Sequence, residues 1–171
     1  MNLSVIIVSY NTKDLLKRCL KSIYSGYTMD THGYKVEIIV VDNGSTDGSL
    51  QSINSLEWPN LKIIANKENL GFAKAVNQGI RQAEGKYILL LNSDIIVKPR
   101  SIGIMLDFVK KNPQVGVIGG KLLNPDGSVQ GSCFFLDFNS QVFLIFSGIG
   151  GPANHGENIA GFRFYGYKCS V

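Results

Sequence analysis

No stretch of this chain reaches 18 uncharged apolar residues, so the sequence predicts no transmembrane helix. Cysteine is scarce. Cys19, Cys133 and Cys169 are an odd number at wide spacing, which argues against a disulfide framework and a zinc ribbon. The two histidines, His32 and His155, lie far apart without cysteine neighbours and read as surface or loop residues. Charge is thin as well: 17 Lys and Arg stand against 13 Asp and Glu. The net charge is +4, and the parts on either side of Lys86 share it evenly. Without a basic tail or stripe, nucleic acid is not an expected partner; the mild excess suits an anionic ligand or a membrane surface. The start Met1-Asn2-Leu3-Ser4-Val5 has neither a basic segment nor a cleavage site. The expected compartment is therefore a reducing cytoplasm.

Several nucleotide-binding signatures are missing too. No G-x-G-x-x-G follows the first apolar run, which disfavours a dinucleotide-binding dehydrogenase. Gly119-Gly120-Lys121 is followed by Leu122, so there is no P-loop. A serine nucleophile elbow is absent. A nucleotidyltransferase would want a Gly-rich, Arg- and Lys-bearing loop after the first strand, and Ser9-Tyr10-Asn11-Thr12-Lys13 does not supply it.

What remains is an apolar chain, 44% hydrophobic over 171 residues, long enough for one domain with its own core. Five apolar runs read as strands: Leu3–Val8, Val36–Val41, Leu61–Ile64, Tyr87–Leu91 and Val115–Ile118. Most are continuous rather than alternating, as in strands of a parallel sheet buried on both faces. Between them Leu15, Leu16, Cys19, Leu20, Ile23 and Tyr24 repeat at helical spacing. So do Phe72, Val76, Ile80 and Ala83, and Ile102, Met105, Leu106 and Val109. Ser45-Thr46-Asp47 suits the cap of a short helix through Ile53. Pro99 suits the first turn of the last helix, and Pro113 lies past its end. The alternation predicts an α/β fold with a doubly wound, mostly parallel sheet flanked by helices. After Gly120 it weakens. Asn124-Pro125-Asp126-Gly127 is a turn, and Gly148 to Gly166 shows no periodicity. The apolar stretch Phe134–Ile149 reads as a cover for the sheet, with peripheral association at the inner face of a membrane as its alternative.

Ligands of open parallel sheets bind beyond the carboxyl ends of the strands. Here those ends carry Ser9-Tyr10-Asn11, Asp42-Asn43-Gly44-Ser45, Asn66 with Glu68-Asn69-Leu70-Gly71, and Asn92-Ser93-Asp94. Each cluster alone suits a turn, but four in succession point to a ligand site. Alternate residues at a strand end project the same way, so Asn92 and Asp94 face one site. Asp94 suits a hard-oxygen ligand for Mg²⁺ or Mn²⁺. Asp42 is either an acceptor for a nucleobase N–H or the head of an Asx-turn with Gly44 or Ser45. Tyr10 is either a stacking platform for a base or a packing residue.

These residues in this order resemble family 2 glycosyltransferases. The resemblance rests on Val8-Ser9-Tyr10-Asn11, Val40 through Ser49, Asn66 through Ala73 with Asn77, and Leu90 through Asp94, and Lys121 through Gln130 extends it. The Asn69-Leu70-Gly71-Phe72 segment, with Asn92 where the metal motif usually starts in Asp, is similar to rhamnosyltransferases that use dTDP-rhamnose. The resemblance implies a GT-A fold and a nucleotide-sugar donor, dTDP- or UDP-linked. It places Ser9, Tyr10 and Asn11 at the nucleotide and Asp42 on the pyrimidine N3–H. Residues Asn69 to Lys74, including Gly71, together with Asn77 would line base, ribose and phosphates. Asn92, Ser93 and Asp94 would stand for the Asp-x-Asp motif, with Asp94 as the metal ligand. Such enzymes transfer a sugar with inversion, here to a saccharide or lipid-linked acceptor in cell-surface polysaccharide synthesis.

The family normally continues into an acceptor half with a Glu-Asp pair, and no Glu-Asp occurs in this chain. Of the downstream carboxylates Asp126, Asp137 and Glu157, none is assigned as general base, and Asp126 reads as a turn former. The expected division is therefore a nucleotide-sugar-binding core over residues 1–130 and a Gly- and aromatic-rich tail over 131–171, a truncated acceptor part. The alternative to a transferase is a non-catalytic module that keeps the donor site.

Overall fold

A computed structural model of the chain describes residues 2–25, 33–56, 58 and 60–130, and the backbone of 157–159, 162–164 and 167–168. The apolar runs form β1 (Leu3–Ser9), β2 (Val36–Asp42), β3 (Leu61–Ala65) and β4 (Tyr87–Asn92). The helical patterns form α1 (Lys13–Tyr24), α2 (Ser49–Asn54), α3 (Phe72–Gln82) and α4 (Ser101–Lys111). Two compact units result, Met1–Ile104 and Met105–Val171. No helix among the described residues is long and apolar enough to cross a membrane.

In the first unit the strands are all parallel in the order β3-β2-β1-β4. The chain steps outward from β1 to β3, then returns across β1 to lay down β4. Right-handed crossovers then put α1 and α2 on one face and α3 on the other. Accordingly α1 packs on α2, and α3 packs on β1 and β2. This is the doubly wound sheet the alternation predicts, with its switch point between β1 and β4.

β1 and β2 are buried almost throughout, as continuous apolar strands should be. β4 departs from that expectation. Its side chains alternate, leaving Ile88 and Leu90 45% and 50% exposed. The register pairs Ser4 with Ile88 and Ile6 with Leu90, so these two share the α3 face of the sheet. α3 packs chiefly on β1 and β2.

The apolar stripe expected on α3 also shifts. Ala75, Val76 and Gly79 are the buried positions, while Phe72 and Ile80 are exposed. The reason is close approach: a Cβ on Gly79 would lie 2.5 Å from Cγ2 of Ile6. Small residues let the helix settle on β1, and the larger ones flank the contact. The core cluster beneath joins Ile6, Ile39, Val41 and Ala75, with Val8, Ile64 and Ala83 packed against it.

One charge is buried at the amino end of the sheet. Oε1 of Glu37 accepts hydrogen bonds from the Ser4 hydroxyl (2.6 Å) and the Glu84 amide (2.7 Å). Its Oε2 lies 2.9 Å from Nζ of Lys62, which also pairs with Glu84. Burial pushes the Glu37 carboxyl up, but those hydrogen bonds and the Lys62 charge outweigh it, and the group sits below its ordinary value.

The second unit differs from expectation at β5 (Val115–Val117). Instead of joining the parallel sheet, it pairs antiparallel with β8 (Tyr167–Lys168). β6 (Glu157–Ile159) and β7 (Phe162–Phe164) form a second antiparallel pair in a tail where no periodicity was legible. They are too short to show one. α4 starts at Ser101, so Pro99 precedes the helix rather than opening it, while Pro113 does lie past its end. Phe134–Ile149 lies outside the described residues.

Candidate functional site

Four polar exits of the sheet are tied together before any ligand is considered. Asn11, in a left-handed conformation at φ 52°, leaves β1 and meets the loop after β2. Its amide donates to the Ser45 hydroxyl (2.9 Å), and its Oδ1 accepts from the Thr46 amide (2.8 Å). Asp47 joins the same two loops, accepting from the Lys13 amide at 2.9 Å and from the Ser49 amide at 2.9 Å. The Ser49 hydroxyl above all, with these amides, holds the Asp47 carboxyl below its ordinary range. The N-cap of α2 is Gly48, at φ 83° and without a side-chain cap, so the Ser45-Thr46-Asp47 segment does not supply the cap; Asp47, one residue earlier, takes the Ser49 amide from outside the helix.

A second set of bonds joins the loops after β2 and β3. Asn43 is buried; its Oδ1 accepts from Asn66 (3.0 Å) and from the Leu70 amide (3.1 Å). Its Nδ2 donates to Oδ1 of Asn69 (2.8 Å), which also takes the Gly71 amide (2.9 Å). Asn66 and Gln78 exchange a reciprocal amide pair, fixing α3 to the end of β3. Gly44, at φ +84°, is where the loops touch: a Cβ there would fall 2.7 Å from the Glu68 carbonyl carbon. Only glycine fits that approach.

The third set crosses the switch point. The Thr12 hydroxyl donates to the Ser93 hydroxyl (3.1 Å) and lies 2.9 Å from the Ser9 hydroxyl. Cys19 lies beneath, its thiol reaching the Asn92 carbonyl at 3.7 Å. Burial first, and the nearby Asp94 charge second, push that thiol up to about 12, so it is a packed, unreactive donor.

Above these ties an open cleft of about 300 Å³ sits between the exits of β1 and β4. Val8, Tyr10, Thr12, Leu15, Asn43, Phe72, Asn92, Ser93 and Asp94 line it. Asn92 and Asp94 are exposed there and Ser93 is buried, as alternation at a strand end requires. Tyr10, 48% exposed, is not a packing residue. Asp42 is buried and heads the Asx-turn, its Oδ2 accepting from the Ser45 amide at 3.1 Å. Its Oδ1 is buried without a hydrogen-bond partner, a placement that a bound N–H donor would resolve.

The sequence-expected residues therefore divide. Tyr10, Asn92, Ser93 and Asp94 meet in the cleft. Asn11 and Asn69 use side-chain oxygens to bind the loop after β2, and the Ser9 hydroxyl bonds Thr12 within its own exit. Gly71 starts α3 at φ 83°, and Lys74 and Asn77 are exposed on that helix. Val8, Thr12 and Leu15 line the cleft without having been singled out as contacts, whereas Phe72 stands within the expected Asn69–Lys74 segment and Asn43 within the strand-end cluster after β2. Asp126 takes the Ser128 amide and hydroxyl inside the Asn124–Ser128 turn, the turn-forming role expected of it.

Comparison with known proteins gives this geometry a relationship. Residues 4–132 match the family model described as glycosyl transferase family 2. A poly(ribitol-phosphate) beta-glucosyltransferase of Bacillus spizizenii is 34% identical over 152 residues, 87% of this chain and 23% of that protein. An N-acetylglucosaminyl-diphospho-decaprenol L-rhamnosyltransferase of Mycobacterium tuberculosis is 31% identical over 138 residues, 74% of this chain and 43% of that protein. The chain thus spans less than half the length of either. Among solved structures, a mannosyltransferase from Pyrobaculum calidifontis in complex with GDP-Man and Mn²⁺ shares the fold. Its TM-score is 0.62 at 24% identity, over 73% of this chain and 36% of that one. S. aureus TarS 1-349 in complex with UDP-GlcNAc superposes with a TM-score of 0.57 at 27% identity, over 66% of this chain and 32% of that one. The GT-A fold implied by the motifs is therefore the fold observed.

Proposed function

This chain belongs to glycosyl transferase family 2, and from that premise we propose that it binds a pyrimidine nucleoside-diphosphate sugar across the β1/β4 switch point. Its sugar then passes, with inversion, to a saccharide or lipid-linked acceptor in polysaccharide synthesis. The observation that carries the reading is the meeting of Asn92, Ser93 and Asp94 with Tyr10 and Phe72 in one cleft. Asp42 supports it from the neighbouring strand: its orphan Oδ1 is an acceptor for the N3–H of uracil or thymine.

The residues present fit a divalent cation. Asp94 is the sole carboxylate lining the cleft, with the neutral amide of Asn92 beside it. Among the described residues no group of three or more His, Cys, Asp or Glu side chains could cage an ion. A lone exposed carboxylate suits Mg²⁺ or Mn²⁺, which keep waters and are held by one or two carboxylates together with substrate phosphates. When bound, the ion supplies stabilisation for the charge on the departing diphosphate. Transfer with inversion forms one bond, from the acceptor oxygen to the anomeric carbon, and breaks the bond to the diphosphate. The acceptor proton passes to a carboxylate base. Family relatives named for L-rhamnose transfer and for poly(ribitol-phosphate) glucosylation support a cell-surface polymer as the setting.

That Asp94 is the cleft's one carboxylate favours a second reading, a donor-binding module that does not transfer. Calorimetry with UDP and dTDP, with and without Mg²⁺ or Mn²⁺, tests the shared site, and a folded sample that binds neither sinks both readings. Release of sugar from UDP- or dTDP-linked donors, with and without a saccharide acceptor, separates them.

A further inference from the structure

Thr12 precedes the first residue of α1, the position where a threonine ordinarily turns its hydroxyl back to an amide of the first helical turn. Here it makes no such bond. Its carbonyl still accepts from Leu16 (2.8 Å), so the helix starts normally. The Lys13 amide of that first turn is taken by Asp47 instead. The Thr12 hydroxyl is left to bridge Ser9, the last residue of β1, and Ser93, the centre of the Asn92–Asp94 turn. Its single proton goes to Ser93, so Ser9 is the donor to Thr12.

Two more contacts run along the same helix. The Cys19 thiol reaches the Asn92 carbonyl, and the Ser22 hydroxyl accepts from the Val97 amide at 2.9 Å. α1 therefore holds residues 92, 93 and 97 from one polar seam.

We propose that Thr12 is a positioning residue for the cation of the bound nucleotide: the Ser9–Thr12–Ser93 hydroxyl chain fixes the turn that presents Asp94. The proposal rests on the functional reading above. A local cap given up for a bond between two strand exits is the kind of broken local rule that marks a functional site. A single carboxylate ligand has no second one to correct its aim, so its support matters more.

The test uses the full chain with Thr12→Val, which keeps the shape and removes the hydroxyl, and Thr12→Ser, which restores it. UDP and dTDP affinities are measured by calorimetry with Mn²⁺ and with EDTA, and Tm is recorded without ligand. Loss of a residue that orients a metal ligand typically weakens the site about 10-fold or more. Because Thr12 also lines the cleft, Thr12→Val should lose about 10-fold more affinity with Mn²⁺ than with EDTA, and be rescued by Thr12→Ser. An equal loss with and without Mn²⁺, no loss, or failure of serine to rescue overturns the proposal alone. If Thr12→Val does not fold, Thr12→Ala is held to the same criteria. A wild-type chain that binds neither nucleotide overturns the functional reading and this proposal together.

Discussion

Asn43 donates to Asn69 across 2.8 Å and, through its own carbonyl oxygen, receives the Leu70 amide at 3.1 Å. One buried side chain at the end of β2 thereby shapes the loop that leads from β3 into α3. Asn43→Ala would strand the Leu70 amide and the Asn66 and Asn69 groups that it serves. A buried group left unpaired costs about 1–3 kcal/mol, so the substitution should destabilise the fold by roughly 2–3 kcal/mol. Urea denaturation measures this, and nucleotide affinity should fall with it.

Asp42→Asn separates binding from stability. An amide can still accept from Ser45 while removing a buried charge whose second oxygen has no partner. Tm should stay level or rise. Affinity for UDP or dTDP should drop about 10- to 100-fold, because an N–H₂ now meets the donor of the base. A calorimetric titration alongside a melting curve reads both.

Asp94→Ala removes an exposed carboxylate, and surface substitutions usually change stability by about 0.5 kcal/mol or less. The fold should therefore be unaffected. The enhancement of nucleotide affinity by Mg²⁺ or Mn²⁺ should vanish, leaving the affinity seen in EDTA. Retention of metal-enhanced binding would show that another group holds the ion.

Glu37 gives the fold an acid limit. Its carboxyl sits below the ordinary value, so the folded chain takes up this proton less readily than the unfolded chain. The stability it contributes is full above the unfolded value and is lost as pH falls through the folded one. Glu37→Gln should cost about 1–3 kcal/mol at pH 7 by weakening bonds to Ser4, Lys62 and Glu84. It should also flatten the loss of stability below about pH 4.5. Urea midpoints from pH 7 down to pH 3 measure both.

How far residues could be read without coordinates varied along the chain. β1 and β2 were legible because each is buried on both faces, so a local run of Ile and Val carries the whole signal. β4 has the same composition, yet Ile88 and Leu90 are exposed, since burial there depends on how far α3 reaches across the sheet. Phe72 and Ile80 kept helical spacing with Val76, but Gly79 against Ile6 decided which side of the helix is inward. β5 looked like one more strand of the alternation. Its partner, β8, lies some 50 residues on and leaves no local trace.

The site shows the same division. The sequence alone determined which chemistry leaves each strand: a carboxylate at Asp42, an amide and a carboxylate at Asn92 and Asp94, an aromatic at Tyr10. Those identities are covalent, and their place at strand ends follows from local hydrophobic pattern. Tertiary structure decided what each group does. It spends the carbonyl oxygens of Asn11 and Asn69 on neighbouring loops, leaves one oxygen of Asp42 orphaned, and turns Thr12 from a helix cap into a bridge between β1 and β4. Hydrogen bonds act over about 3 Å between residues that here lie as far as 81 positions apart, so only folding brings donor and acceptor into reach.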